Sequence, residues 1–216
     1  MRKGKCILIC AGDIALSDVQ YDKEYDTVIA VDGGLLYCTF LKLEPDLIVG
    51  DFDSVDEERW EAVKEIMRVS PEKVVRLIPE KDDTDTMAAL RIGLDMGYEV
   101  FHIYGGLGGR LEHTVANMQC LSFLKKQGAK GYLMGESSMV TVIQNETLRF
   151  REEMEGFVSV FAMGEVAEHV TIAGMKYLLD DATISNDFPI GISNEFIGEE
   201  GSITVGNGQL LVITSW

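Results

Sequence analysis

Residues 46–54 read DLIVGDFDS, and the stretch joins an apolar run to Asp51 and Asp53, separated by Phe52. The run is short and rich in Leu, Ile and Val, as expected of a strand buried on both faces. Ser54, with Glu57 three positions on, fits a capping box that opens a helix over SVDEERWEAVKEIM. A buried strand feeding a helix is the unit of a parallel sheet, and that unit recurs outward in both directions. CILIC (6–10) and TVIAV (27–31) precede it, while VVRLI (74–78), VFHIY (100–104) and GYLMG (131–135) follow. TDTMAALRIGLDMG sets Met87, Leu90 and Leu94 on one helical face and stops at Gly97. RLEHTVANMQCLSFLKKQG does the same with Leu111, Val115, Met118 and Leu121, ending at Gly128. Residues 1–137 therefore read as an α/β domain built on a doubly wound, mostly parallel, Rossmann-like sheet.

Beyond this the texture changes. MVTVI, FVSVFAM, HVTIAG, GSITVG and LLVITSW follow closely with no helical pattern between them. Residues 138–216 read as a small all-β sandwich. The chain has 216 residues, 46% of them hydrophobic and 25% charged, an ordinary globular composition. Its net charge of -17 argues against nucleic acid and against an anionic membrane surface as partners. No apolar run approaches the roughly 18 residues of a membrane span. The opening MRKGKCILICAGD has basic residues before an apolar run, but the run is too short for a signal peptide and no cleavage site follows. Cys6, Cys10, Cys38 and Cys120 show no CxxC spacing and read as buried reduced thiols in a cytoplasmic protein. His102, His113 and His169 do not cluster, which speaks against zinc.

Open α/β sheets bind ligands beyond the carboxyl ends of their strands. There the sequence places DGG (32–34), DFDS (51–54), PEKDDTD (79–85) and GGLGGR (105–110). In extended backbone Asp51 and Asp53 would face one side and Phe52 the other. Carboxylates gathered from neighbouring strand ends suit Mg2+ carrying phosphates. Each aspartate also has a plainer reading. Asp53 and Asp85 sit near helix starts, where the dipole favours them by about 0.3–1 kcal/mol, and Asp82 or Asp83 fits an N-cap. The glycines let backbone N–H groups approach an anion at a helix N-terminus, and Arg110 suits a bidentate phosphate contact. GxxxxGK[ST] is absent, which excludes a P-loop, and no GxGxxG follows the first strand.

DGG, GDFDS, KDDTD and GGLGGRLEH, in this order and spacing, resemble the motifs of the thiamin pyrophosphokinase family. GMKYLL (174–179) and GISNEF (191–196) are similar to that family's GLKY and SNEF stretches. The resemblance spans nearly the whole chain. It implies transfer of a pyrophosphoryl group from ATP to the thiamin hydroxyl, giving thiamin diphosphate and AMP. It further implies Mg2+ and a homodimer whose active sites are shared between subunits. Carried onto this sequence, Asp32, Asp51, Asp53 and Asp85 would stand at the metal and triphosphate, with Mg2+ on Asp51, Asp53 and Asp85. Arg110 and Lys81 would offset charge on the transferred group, and Asp82 or Asp53 would accept the hydroxyl proton. The nucleotide side would also include Gly33, Gly34, Thr84, Gly105, Gly106, Gly108, Gly109, Glu112, His113 and Asn117. Ser193 and Asn194 would approach the thiamin pyrimidine. Two departures stand out: Glu112 occupies a position where many relatives carry Asp, and LLVITSW lacks the tryptophan that often follows the paired leucines. Two alternatives remain at this stage. One is a haloacid-dehalogenase-like phosphatase with Asp51 as nucleophile, although its DxD motif belongs on a first strand and DFDS follows the third. The other is a non-catalytic nucleotide-binding regulator.

Overall fold

The computed structural model describes residues 4–14, 19–52, 57–78 and 83–216, without the side chains of 57–59 and 62. It divides into two compact units, residues 1–120 with 128–136, and residues 121–127 with 137–216.

The first unit holds β1 (Cys6–Ile9), β2 (Thr27–Val31), β3 (Leu47–Gly50), β4 (Val74–Arg76), β5 (Val100–Tyr104) and β6 (Lys130–Met134). They lie in the order β6-β5-β1-β2-β3-β4 with every neighbouring pair parallel. Every residue of β1 and β2 is buried, which is why these runs read as continuously apolar rather than alternating. Each such Ile or Leu contributes about 1.5–3 kcal/mol through burial. Because β1 lies between β2 and β5, the chain order reverses there, and a crevice opens beyond the ends of β1 and β5.

Helices α1 (Gly34–Leu41), α2 (Glu57–Val69), α3 (Asp85–Asp95) and α4 (Leu111–Lys126) accompany these strands. The sequence pattern does not reveal α1, because GLLYCTFL is apolar almost throughout and has no polar face to set a period. The capping box expected at Ser54 lies outside the described residues. At α3 the N-cap is Thr84, whose hydroxyl accepts the Met87 N–H at 3.2 Å, and not Asp83. Asp83 instead pairs with Arg91 at 3.1 Å, and Asp82 is outside the described residues. Asp85 stands in the first turn, where the helix dipole favours a carboxylate.

The extended backbone on which the expected alternation across DFD depends ends before Phe52, and Asp53 lies outside the described residues. β3 ends at Gly50, and Phe52 has φ 61, in the left-handed region. The strand geometry therefore stops short of Phe52, and the two-residue repeat of an extended chain no longer fixes where the flanking side chains point.

The second unit holds β7 (Ser138–Gln144), β8 (Thr147–Phe150), β9 (Phe157–Ala162), β10 (Val166–Ala173), β11 (Leu179–Ser185), β12 (Asn194–Glu195), β13 (Gly201–Asn207) and β14 (Gln209–Ser215). Its strands pair antiparallel in two runs, β12-β9-β14-β7 and β11-β10-β13-β8. Val158, Val160, Leu210 and Val212 of the first run share one core with Val170, Ile172, Ile184, Ile203 and Val205 of the second. The sequence reading missed β8, β11 and β12. All three are edge strands of their run, and β11 carries Asp180 and Asp181, the kind of charge that edges tolerate and cores do not. No described helix is long and apolar enough to cross a membrane.

Candidate active site

Two strand ends and one helix start build an acidic corner. Asp32 follows β2 with φ 47, a left-handed conformation that Asp tolerates better than most residues, and its N–H donates to Val49 O at 2.8 Å. Gly50 makes the close packing of that turn possible, since a Cβ there would lie 3.1 Å from Asp32 Cα. Phe52 turns its ring into the core, where it is 6% exposed and stacks at 5.9 Å on Trp60 of α2. Its burial holds a conformation that a bulky residue seldom adopts. The outcome is that one carboxylate oxygen each from Asp32, Asp51 and Asp85 lies within 4.8 Å of the others. Three oxygen donors in this arrangement fit a hard divalent cation.

Opposite the acidic corner lies the glycine loop after β5. Gly105 has φ 65, and a Cβ there would lie 2.3 Å from Cys10 O; at Gly108, with φ 74, it would lie 2.0 Å from the Asp13 carboxylate. Only glycine fits at either position. The segment after β1 is laced onto this loop, with Gly12 N donating to Gly105 O at 2.8 Å and Asp13 N to Leu107 O at 2.9 Å. From the other side α4 holds two of the loop's carbonyls: Asn117 Nδ2 donates to Gly106 O at 2.8 Å and Thr114 Oγ1 to Gly108 O at 3.2 Å. The loop ends at the N-terminus of α4, the positive end of its dipole.

Between corner and loop lies a cavity of about 470 Å3. Its wall includes Asp32, Asp51, Thr84 and Asp85 on one side, and Gly105, Gly106, Gly108, Gly109, Arg110, His113 and Asn117 on the other. The sequence singled out all of these. Gly33, Gly34 and Glu112 are not in the wall. Gly33 is the N-cap of α1, and a Cβ on Gly34 would meet Ile9 O at 1.9 Å, so this glycine lets the helix start abut β1. Glu112 receives Arg110 Nε at 2.7 Å, with both side chains exposed, and the local backbone and that guanidinium hold its carboxyl below the usual range. Asp53, Lys81 and Asp82 lie outside the described residues.

Cys10, Ala11, Gly12, Asp83 and Thr86 also line the cavity and were not foreseen. The signal was available in AGD (11–13), directly after the first strand, but it matches no phosphate fingerprint. Cys10 is buried against Thr86, Sγ to Oγ1 3.7 Å, and burial pushes its thiol up to about 12. It is a wall residue and not a nucleophile at neutral pH. Cys6, Cys38 and Cys120 are likewise free and buried.

Ser193 and Asn194 belong to the second unit. Ser193 is exposed, with φ 55, and its N–H donates to Ser159 Oγ at 3.0 Å. Asn194 is 3% exposed, and its amide bonds the backbone of Tyr177 on both sides.

A parallel sheet with carboxylates and a glycine loop at its switch point suits an enzyme that moves phosphate groups. Residues 19–133 match the family model described as "Thiamin pyrophosphokinase, catalytic domain", and residues 145–210 match "Thiamin pyrophosphokinase, vitamin B1 binding domain". The chain is 29% identical over 196 residues to a thiamine pyrophosphokinase of Bacillus subtilis, covering 90% of each. A crystal structure of thiamine pyrophosphokinase from Bacillus subtilis superposes with a TM-score of 0.81 at 25% identity, over 98% of this chain and 99% of that one. A thiamin pyrophosphokinase family protein from Enterococcus faecalis superposes with a TM-score of 0.79 at 26% identity, over 99% of both. The chain belongs to the thiamin pyrophosphokinase family, and its reaction is ATP-dependent transfer of a pyrophosphoryl group to thiamin. Matches in both halves of the chain favour this over the phosphatase and the non-catalytic regulator.

Proposed function

We propose that Asp32, Asp51 and Asp85 hold Mg2+ at the triphosphate of ATP while the glycine loop seats the phosphates for attack by thiamin. The convergence of these three carboxylates within 4.8 Å carries the reading. When bound, the cation neutralises phosphate oxygens and helps to orient them. Asp53, two positions beyond Asp51, joins the set in the reading from family resemblance. The backbone amides at Gly108–Arg110 and the start of α4 face the anionic oxygens, and Arg110 donates to them while Glu112 steadies its guanidinium.

In the transfer, the thiamin hydroxyl oxygen bonds to the β-phosphorus, and the bond from that phosphorus to the α,β-bridging oxygen breaks. AMP leaves with the electron pair, and the hydroxyl proton passes to a cavity carboxylate. Residues 1–137, a Rossmann-like domain, carry the nucleotide chemistry, and residues 138–216, a β-sandwich, carry thiamin. The active form is a homodimer with shared sites, working in the cytoplasm; four buried free thiols support that location.

The test is to incubate pure protein with ATP, Mg2+ and thiamin and to separate the products. Thiamin diphosphate and AMP in equal amounts are expected, and chelation of the metal should stop their formation. Thiamin monophosphate with ADP would refute pyrophosphoryl transfer, and undiminished turnover in EDTA would refute the metal.

A further inference from the structure

The chain contains a single Asn-Gly pair, Asn207-Gly208, at the tip of the hairpin that joins β13 to β14. The fold demands the glycine. Gly208 has φ 105, and a Cβ there would lie 3.0 Å from Val166 O and 3.2 Å from Ala167 Cα. Asn207 is exposed to water. Two side chains from elsewhere in the second unit engage the pair. Asn145, in the turn between β7 and β8, accepts the Gly208 N–H on its Oδ1 at 2.9 Å. Glu168 of β10 accepts a bond from Asn207 Nδ2 on its Oε2 at 2.6 Å. The Asn145 turn is itself tied down, because Val205 N donates to Glu146 O at 3.0 Å and Lys125 pairs with the Glu146 carboxylate.

An asparagine followed by glycine is open to attack from within the chain, since glycine puts no side chain in the way of its own nitrogen. In that reaction the Gly208 N–H gives its proton to hydroxide, and the nitrogen bonds to Cγ of Asn207. The Cγ–Nδ2 bond breaks and ammonia leaves, which closes a five-membered imide. Water then opens the imide at either carbonyl, giving aspartate or isoaspartate; the sum is one water consumed and one ammonia released. Both hydrogen bonds at the hairpin tip oppose the first step. Asn145 holds the N–H that must be lost, and Glu168 tethers the amide that must swing towards the nitrogen. Ring closure therefore waits on local opening of the hairpin.

We infer that Asn207 is a site of self-modification, deamidating through an imide with Gly208, and that Asn145 and Glu168 guard it. Either product damages the hairpin. Aspartate at this position sets a second carboxylate against Glu168, and isoaspartate adds one methylene to the main chain between β13 and β14. The next residue, Gln209, donates from Nε2 to Gln144 Oε1 at 2.8 Å and accepts the Ser122 hydroxyl of α4 on its own Oε1. The modification thus lies one residue from a side-chain chain that joins β14 to β7 and α4.

The experiment incubates the pure full chain in mildly alkaline buffer, folded and in urea, and follows the mass of the peptide that holds Asn207 together with ammonia release. Folded wild type should deamidate at Asn207 more than about tenfold more slowly than the unfolded chain. Asn145→Gly removes the acceptor yet suits the φ of 51 at that position, and it should raise the folded rate by about tenfold, the worth of one net hydrogen bond. Asn145→Asp keeps an acceptor oxygen and should stay near the wild-type rate. In urea all three chains should react alike, because residue 145 is far from the pair in sequence. Where Asn145→Gly does not fold, Glu168→Ala takes its place, with a faster folded rate expected again. Equal rates for wild type folded and in urea overturn the inference. So do equal folded rates in wild type and the variant that lacks a guard, or deamidation that begins at another asparagine.

Discussion

The two units use their polar side chains in opposite ways. In the first, carboxylates from β2, β3 and α3 converge on a cavity, and the backbone around them is held by glycines and by Asn117 and Thr114. In the second, the amide of Asn194 is occupied by backbone groups, and apolar side chains face outward. Phosphate transfer needs charge concentrated at one point, whereas a buried amide bonded to backbone groups fixes the path of the chain. A polar residue at a binding site can therefore matter through the ligand or through the backbone, and burial together with its bond inventory tells which.

That contrast can be broken most sharply at Asp51. Asp51→Asn should cut turnover by roughly 10²–10³-fold or more, as loss of a charge-stabilising group does, while the melting temperature holds or rises because like-charge repulsion eases. Product formation and thermal unfolding check this together, and a fully active variant would end the metal assignment. Gly12→Ala attacks the backbone support instead. Its Cβ would lie 2.5 Å from Leu107 O and 2.6 Å from Gly105 O. We expect a loss of about 1–3 kcal/mol in urea unfolding and a raised KM for ATP, with thiamin KM unchanged.

Acid should separate the units as well. His102 on β5 is largely buried, its Nδ1 has no hydrogen-bond partner among the described residues, and burial drives its pKa down to about 4. The unfolded chain then takes up a proton near pH 6.5 that the folded one refuses. Stability present above that pH is lost as pH falls toward 4, by on the order of 1–2 kcal/mol once solvent screening is allowed for. His169 in the second unit is raised by its hydrogen bond to Asp181, so its contribution has the opposite sign, present in acid and lost as pH rises. Urea midpoints between pH 7 and pH 4 should therefore fall, and His102→Gln should flatten the slope where His169→Gln does not. The smallest effect is expected at the α3 cap, where Thr84→Ala should lower stability by about 1 kcal/mol in the same assay.

How far the sequence could be read follows the same division. In the first unit the buried runs are continuous, and the rule about strand ends leads directly to DGG, DFDS and GGLGGR, three stretches that border the cavity. It did not lead to Cys10–Gly12, because Cys10 and Gly12 are held by backbone bonds to Tyr104 and Gly105 and the stretch leaves no pattern of side chains. Nor did it distinguish Thr84 from Asp83 as a cap, since both are good acceptors and only the path of the chain decides between them. The left-handed turn at Phe52 was also hidden, because local preference disfavours it and tertiary burial imposes it. In the second unit the strands were legible where they enter the core, but β8 and β11 at the edges were not. The pairing of GMKY with SNEF depends on contacts across about twenty residues, and no periodicity carries such information.

The conformation of Phe52 has a mechanical consequence. Its ring is wedged against Trp60, and the guanidinium of Arg76 lies 5.4 Å from that indole. The placement of the neighbouring Asp51 is thus geared to the seating of α2 and β4. A slip of that helix by a fraction of its rise would re-aim a carboxylate without touching the cavity. Substitutions at Trp60 should therefore register first as altered metal dependence, before they register as unfolding.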